Sequence, residues 1–252
     1  MIMLREAVTA IRTLTIIPVP GKECEVYSNS LHFFPFIGFI ISCILFGLAT
    51  ALNTVSFDYP LIEGFILTIF ITLITGALHL DGLADTADGL IGGTTREKSL
   101  EIMKDPRHGT FGVTAITFLI IGKIGAYSVL VAEWYPWYFW CGPILSRTIM
   151  AFICSAFPYA RINGKAQNYF RKDRAVMISM LVIMVLGMCL SIIFALKSFL
   201  IVFVLTLGSS FFVTGYCLSR LGGITGDCLG AINEITEILF LYSSIGVEHF
   251  FR

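Results

Sequence analysis

Charged residues are scarce in this chain of 252 residues: Asp, Glu, Lys and Arg make up 13% of it, whereas a soluble domain carries about a quarter. Hydrophobic residues make up 56%. The polar surface is too small to cover a water-soluble globule, so we predict an integral membrane protein. The formal net charge is zero. The charge balance therefore says nothing about nucleic-acid or acidic partners, and no nucleic-acid partner is predicted.

Paired cysteine motifs and nucleotide-binding glycine motifs are also missing. The seven cysteines are an odd number and include no C-x-x-C pair, which favours small packing side chains over a disulfide framework or a zinc site. No G-x-G-x-x-G or P-loop pattern occurs. A cleavable signal peptide is not expected, because Arg5, Glu6 and Arg12 interrupt the apolar N-terminal stretch.

Long apolar runs dominate the rest of the chain. A run of about 20 residues can cross a bilayer as a helix, and continuous apolar segments fall at 33–53, 61–80, 110–132, 136–156, 175–196, 198–217 and 229–247. We predict an all-α, polytopic transmembrane bundle of about seven spans, built as a single domain, 1–252. Segment 6–19 is too short and too charged to span, and it predicts an interfacial or re-entrant helix ended by Pro18 and Pro20.

Basic residues are distributed unevenly between the loops. Of the 17 Lys and Arg residues, 13 lie in the N-terminal arm and in loops 81–109, 157–174 and 218–228. The alternate loops and the C-terminal tail hold only Lys197 and Arg252. Because basic loops stay on the cytoplasmic side, we predict a multi-pass protein of the cell (inner or plasma) membrane with its polar loops on the cytoplasmic face.

Aspartates are concentrated in one block, His79-Leu80-Asp81-Gly82-Leu83-Ala84-Asp85-Thr86-Ala87-Asp88-Gly89. On a helix, Asp81, Asp85 and Asp88 span an arc of only ~60°. Carboxylates this close repel one another unless a cation lies among them, and Mg²⁺ prefers carboxylate oxygens and often bridges to substrate phosphates. We predict a Mg²⁺ site here. The alternative is a solvated acidic helix end, which explains one aspartate well and three poorly.

The same loop continues with Lys104, Asp105 and Arg107. Cations that follow an acidic metal cluster suit a di- or triphosphate ester. Taken alone, they are better explained as markers of membrane topology. Arg107 is our preferred ligand contact.

Polar side chains also occur inside the predicted spans, namely Lys123, Arg147, Asn233, Glu234 and Glu237, with Asp227 at the start of the last span after a glycine-rich turn. Charges within a bilayer usually face a partner or a cavity, although Arg147 could instead extend to the interface. The two glutamates could complete a metal site or pair with Lys123 or Arg147.

Read together, these blocks resemble the cobalamin synthase family (adenosylcobinamide-GDP ribazoletransferase, also called cobalamin-5′-phosphate synthase). The resemblance covers most of the chain and is carried by Ile17-Pro18-Val19-Pro20, Phe34-Pro35-Phe36-Ile37-Gly38, Gly76 through Gly89, Glu101-Ile102-Met103-Lys104-Asp105 with Gly109-Thr110-Phe111-Gly112, and Thr225-Gly226-Asp227 through Glu237. Pro106-Arg107-His108 departs from the family's usual polar residues, so His108 receives no role from the resemblance.

The resemblance implies a Mg²⁺-dependent transferase that joins adenosylcobinamide-GDP to α-ribazole or its 5′-phosphate, releasing GMP, in the final assembly of vitamin B12. Under this hypothesis Asp81, Asp85 and Asp88 are catalytic and bind the metal, with Asp227 as a further ligand, whereas Asp58 is dispensable. The predicted substrate-binding residues are His79, Lys104, Asp105, Arg107, Lys123, Arg147, Asp227, Asn233, Glu234 and Glu237. Membrane lipid is an expected partner, and assembly as a homo-oligomer stays open.

Two other classes of protein compete with this interpretation. A CDP-alcohol phosphotransferase would carry D-G-x-x-A-R, but Asp85 stands where that arginine would be. A cation transporter would place acidic residues near mid-bilayer in repeated halves, but here the aspartates concentrate at one face. Release of GMP by detergent-solubilised protein would separate an enzyme from a transporter.

Overall fold

The computed structural model describes residues 2–55, 59–135, 138–193 and 197–251. Asp58 and Arg252 lie outside these ranges, so the structure does not test what was expected of them. The α-helices are α1 Ile2–Leu14, α2 Phe34–Thr54, α3 Pro60–Ile74, α4 Leu78–Gly92, α5 Arg96–Ile102, α6 Thr110–Ala132, α7 Tyr138–Ala156, α8 Arg174–Ile193, α9 Lys197–Leu221 and α10 Gly226–Phe251. Short 3-10 turns cover Tyr27–Phe33 and Gln167–Tyr169. The described residues contain no strand, which confirms the all-α prediction.

Each predicted membrane segment falls on a helix or on a bent helix pair, but the described ranges give five candidate spans, or six if the bent pair is one span, where about seven were predicted. Within the described ranges, α2 with its preceding turn, α6, α7, α9 and α10 are long and apolar enough to cross a membrane, and α3 with α4 passes the same test as a bent pair. The remaining predicted segment matches α8, which is apolar over the shorter range Arg174–Cys189. The chain is therefore a polytopic membrane protein.

A sharp bend separates α3 from α4 and departs from the continuous segment predicted for 61–80. The two helices meet at 89°. Gly76 and Ala77 both have left-handed backbone angles, with φ of 61° and 55°. The Ala77 N–H donates to the Thr72 carbonyl at 2.9 Å, a bond that closes the last turn of α3. Hydropathy alone could not show this bend, because both arms are apolar. It redirects the aspartate-bearing helix across its neighbours.

Two glycines let α4 lie directly against α10. A Cβ on Gly82 would stand 2.7 Å from the Asp227 carbonyl oxygen, and a Cβ on Gly230 would stand 3.1 Å from the Cα of His79. Both distances are shorter than ordinary van der Waals contact. Larger residues at either position would separate the helices, so the glycines bring the backbones of α4 and α10 together beside the aspartates.

Helix α1 begins and ends earlier than predicted, at Ile2 and Leu14. Its residues Val8 and Leu14 are buried. The chain after it is held against the α3–α4 bend, because the Ile16 N–H donates to the Ile74 carbonyl at 2.9 Å. The N-terminal arm thus lies at the same end of the bundle as the aspartate helix.

Three polar loops, 93–109, 157–173 and 222–225, meet at this end of the bundle, which we call the loop end. Arg96 Nη2 donates to the Ala160 carbonyl at 3.0 Å. Arg220 Nη2 donates to the Gly93 carbonyl at 2.7 Å. Tyr159 and Ile224 form a parallel bridge. The prediction that the polar loops gather on one side is confirmed, and Arg96 and Arg220 are structural ties between them.

Candidate active site

Asp81, Asp85 and His108 lie together at the loop end, and we call them the carboxylate–imidazole cluster. His108 Nε2 lies 3.7 Å from Asp81 Oδ1, and His108 Nδ1 lies 3.6 Å from Asp85 Oδ1. One ligand atom from each residue falls within 4.8 Å of the others. Asp81 is 62% exposed and Asp85 only 18%, so the cluster has an open side and a sheltered side.

Helix α4 supplies both aspartates because they are four residues apart and share a face. His108 arrives from the loop before α6. It was not among the predicted site residues, and the signal that marked it was its position immediately before Gly109, the residue that precedes α6. The structure thus joins two predicted ligands to a residue that was left out.

Asp88, the third predicted ligand, has both carboxylate oxygens engaged. Its Oδ2 accepts from the Gly109 N–H at 2.7 Å and its Oδ1 accepts from the Gly112 N–H at 2.8 Å. These amides belong to the first turn of α6, where N–H groups have no partner within the helix. Asp88 therefore caps α6 and fixes the loop that carries His108. Its predicted metal role stays a prediction.

Asp227 forms an ion pair at the edge of the cluster. Arg161 Nη2 donates to Asp227 Oδ2 at 2.7 Å, and both side chains are largely buried. Asp85 interacts electrostatically with Asp227, Asp81, His108 and Arg161. The sequence marked Arg161 only as a topology signal, because an arginine in a basic loop carries no further pattern. Here it pairs with Asp227 and acts electrostatically on Asp85.

The loop residues predicted to contact substrate lie on the surface. Arg107 donates from Nε and Nη2 to the two carboxylate oxygens of Asp105, at 3.0 and 2.8 Å. These hydrogen bonds lower the pKa of Asp105 to about 2. Lys104 is exposed. Both cations are therefore accessible to a phosphate group that approaches the loop end.

Lys123, Arg147, Glu234 and Glu237 form a buried ion network between α6, α7 and α10. Lys123 Nζ donates to Glu234 Oε2 at 2.5 Å and to Glu237 Oε2 at 2.9 Å. Arg147 pairs with Glu237. The predicted pairing of the glutamates with these cations is confirmed. Arg147 is fully buried, so the alternative in which it extends to the interface is wrong.

His79 and Asn233 lie in the same interior. Both are buried, and Asn233 Nδ2 donates weakly to Glu237 Oε1 at 3.5 Å. His79 Nε2 and Asn233 Oδ1 are buried without a hydrogen-bond partner within the described part of the chain. The predicted substrate contacts of these two residues and of the buried ion network remain predictions, since all of them face the protein interior.

Fold and site together define a polytopic helical membrane protein with a carboxylate–imidazole cluster and accessible cations at its loop end. The family model for cobalamin-5-phosphate synthase matches residues 6–245. The chain belongs to this family, as its motifs indicated.

Its relatives match over almost their full lengths. The adenosylcobinamide-GDP ribazoletransferase of Chlorobaculum parvum is 39% identical over 255 residues, which cover 94% of this chain and 93% of that protein. The protein of the same name from Chlorobaculum tepidum is 37% identical, with 93% and 92% covered. The one from Caldanaerobacter subterraneus subsp. tengcongensis is 33% identical, with 96% and 98% covered. No solved structure matches the chain.

Proposed function

We propose that this chain is an adenosylcobinamide-GDP ribazoletransferase, which joins adenosylcobinamide-GDP to α-ribazole or its 5′-phosphate and releases GMP. Membership of the cobalamin-5-phosphate synthase family and the names of three full-length relatives support the activity. The location of the active site is supported by the convergence of Asp81, Asp85 and His108 at the loop end.

Mg²⁺ is the proposed cofactor. The donor set fits it, because Mg²⁺ is commonly held by one or two carboxylates while substrate phosphates and water supply the rest. Asp81 and Asp85 would hold the ion, since Asp88 already accepts two backbone hydrogen bonds and Asp227 is paired with Arg161. When bound, the ion supplies charge neutralisation on the diphosphate oxygens.

Asp85 is the proposed general base. Its carboxylate is sheltered, and it faces the side on which Arg161 and Asp227 lie. It accepts the proton of the ribazole hydroxyl while the hydroxyl oxygen bonds to the phosphorus on the cobinamide side of the diphosphate. The bond from that phosphorus to the bridging oxygen breaks, and GMP leaves with that oxygen. Transfer of this kind depends on positioning and charge stabilisation more than on covalent catalysis by the protein.

The loop cations would bind the guanylate half. Arg107 presents a planar, bidentate donor, and it is 87% exposed although it is paired with Asp105. Lys104 adds a second positive charge nearby in the chain. We place this face in the cytoplasm of the cell membrane, because the basic loops gather here. The apolar outer faces of the spans would contact lipid.

The test uses purified, detergent-solubilised protein and measures release of GMP from adenosylcobinamide-GDP in the presence of α-ribazole. Asp81→Asn should abolish release while the protein still inserts and purifies normally. Glu101→Gln, which changes an exposed carboxylate of the same loop, should be as active as the unaltered protein. Normal turnover by well-folded Asp81→Asn would refute the role of Asp81 in the site. Full activity after exhaustive chelation would refute the requirement for a metal ion. Detergent micelles maintain no gradient, so a transporter would move no substrate, and it would release no GMP.

A further inference from the structure

Arg161 is a largely buried cation near Asp85, the proposed general base. Its Nη2 donates to Asp227 Oδ2 at 2.7 Å and, more weakly, to the Met103 carbonyl at 3.4 Å. It also acts electrostatically on Asp85. Asp227 lies in the first turn of α10, Met103 follows α5, and Asp85 lies on α4. The guanidinium is therefore placed where three elements of the loop end meet.

The backbone next to Arg161 is held by several hydrogen bonds. The Ala160 N–H donates to the Ile224 carbonyl at 3.0 Å, and the Ile224 N–H donates to the Pro158 carbonyl at 2.9 Å. The Ala160 carbonyl in turn accepts from Arg96 Nη2 at 3.0 Å. These bonds tie the loop of Arg161 to the turn that precedes α10. A donor fixed in this way can stabilise a transition state without the cost of reorganisation.

The protein uses only part of the guanidinium of Arg161. Nε and Nη2 form one edge of the group, the fork that binds two oxygens of a phosphate. Nη2 is bonded to Asp227, whereas Nε is buried and has no hydrogen-bond partner among the residues that the structure describes. The side chains of Arg161 and Asp227 keep 12% and 23% of their surface exposed. A phosphate oxygen at this pair would supply the acceptor that Nε lacks.

The charges around the cluster also require a cation besides a metal ion. Asp81, Asp85 and Asp227 act electrostatically on one another, and Arg161 acts on both Asp85 and Asp227. Three carboxylates carry more charge than one divalent ion. Without Arg161, a diphosphate ester would approach a site with excess negative charge, and like charges repel.

We propose that Arg161 is a catalytic residue that binds the phosphoryl group transferred to the ribazole hydroxyl. This inference rests on the proposed function, which places the diphosphate at Asp81 and Asp85. The hydroxyl proton passes to Asp85, the hydroxyl oxygen bonds to phosphorus, and the bridging oxygen leaves with GMP. Arg161 forms no covalent bond, and it donates to the non-bridging oxygens on which negative charge develops. Asp227 is the positioning residue that holds the guanidinium.

The experiment measures kcat and KM for GMP release by the purified full chain in detergent. Arg161→Gln should lower kcat about 100- to 1000-fold, the usual loss when one donor to a transition-state oxygen is removed, with a much smaller change in the KM for adenosylcobinamide-GDP. Arg161→Lys keeps the charge without the fork, and its kcat should fall between the two. Arg171→Gln is the matched control, since Arg171 is an exposed arginine of the same loop, and it should turn over normally.

Two comparisons separate contact with the phosphoryl group from a structural role. GMP alone should bind to Arg161→Gln as tightly as to the unaltered protein, because Arg107 and Lys104 are proposed to hold the guanylate half. Asp227→Asn keeps an oxygen that can accept from Nη2, so it should lose less kcat than Arg161→Gln. If Arg161 served only to hold the Asp227 carboxylate, removal of that carboxylate would cost at least as much.

Three results would overturn the role of Arg161: a normal kcat in Arg161→Gln, a loss of GMP affinity as large as the loss of kcat, or an equal or larger loss in Asp227→Asn. If Asp81→Asn is inactive while Arg161→Gln turns over normally, only this inference fails. If the unaltered protein releases no GMP, the proposed function fails as well.

Discussion

Replacing Glu237 with glutamine should destabilise the bundle strongly, because it unbalances the buried ion network. Glu237 is within ion-pair distance of both Lys123 and Arg147, and Glu234 supplies the only other carboxylate of the network defined above. The four charges sum to zero. Glu237→Gln would leave two buried cations facing one carboxylate, and removal of one partner from a buried ion pair costs about 3–5 kcal/mol.

Thermal unfolding in detergent micelles measures this effect. For a protein of this size each kcal/mol corresponds to about 2–4 °C, so the Tm should fall by roughly 6–20 °C. Glu248→Gln is the matched control on the same helix. Glu248 accepts a hydrogen bond from the Tyr138 hydroxyl at 2.5 Å, which a glutamine oxygen can also accept, so the loss should stay within about 1 kcal/mol.

A compensating change tests the reason for the loss. Lys123→Met combined with Glu237→Gln restores neutrality, with Arg147 facing Glu234 as the remaining charges. The double variant should be less destabilised than the sum of the two single variants, with a coupling of about 0.5–3 kcal/mol. Strict additivity, or a Glu237→Gln protein that unfolds at the normal temperature, would refute the charge-balance argument.

Three further changes probe the loop end. Asp88→Asn replaces one acceptor of the α6 cap with an NH₂ group and should lower the free energy of unfolding by about 1–2 kcal/mol, measured by thermal unfolding. GMP release should also fall, because the loop that carries His108 shifts. Gly82→Ala forces a Cβ to 2.7 Å from the Asp227 carbonyl oxygen and should lower both Tm and activity. Gly47→Ala, whose Cβ meets nothing within 4 Å, should lower neither, because alanine is the better helix former; equal losses in the two variants would contradict the close α4–α10 contact. Arg107→Gln should leave Tm unchanged and raise the KM for adenosylcobinamide-GDP, since its contact with Asp105 is exposed; an unchanged KM would remove Arg107 from substrate binding.

The pairing of Lys123 with Glu234 shows which contacts could be anticipated from sequence. Charges inside apolar helices usually face a partner or a cavity, so an ion pair was one of the two arrangements predicted for these glutamates, the other being a metal site. The partners are separated by 111 residues, and which carboxylate meets which cation depends on how α6, α7 and α10 pack. A buried charge is costly without an oppositely charged partner, but which partner it meets depends on how the helices pack.

The sequence by itself determined the helical class, the approximate positions of most membrane segments and the common helix face of Asp81 and Asp85. Hydropathy and residue spacing are local properties, and they act within one helix at a time. Only the tertiary structure decided that Asp88 caps α6, that His108 joins Asp81 and Asp85, and that Arg161 pairs with Asp227. These contacts join residues on different elements, and they exist because the bend at Gly76 and Ala77 lays α4 against α6 and α10, a geometry that no local pattern contains.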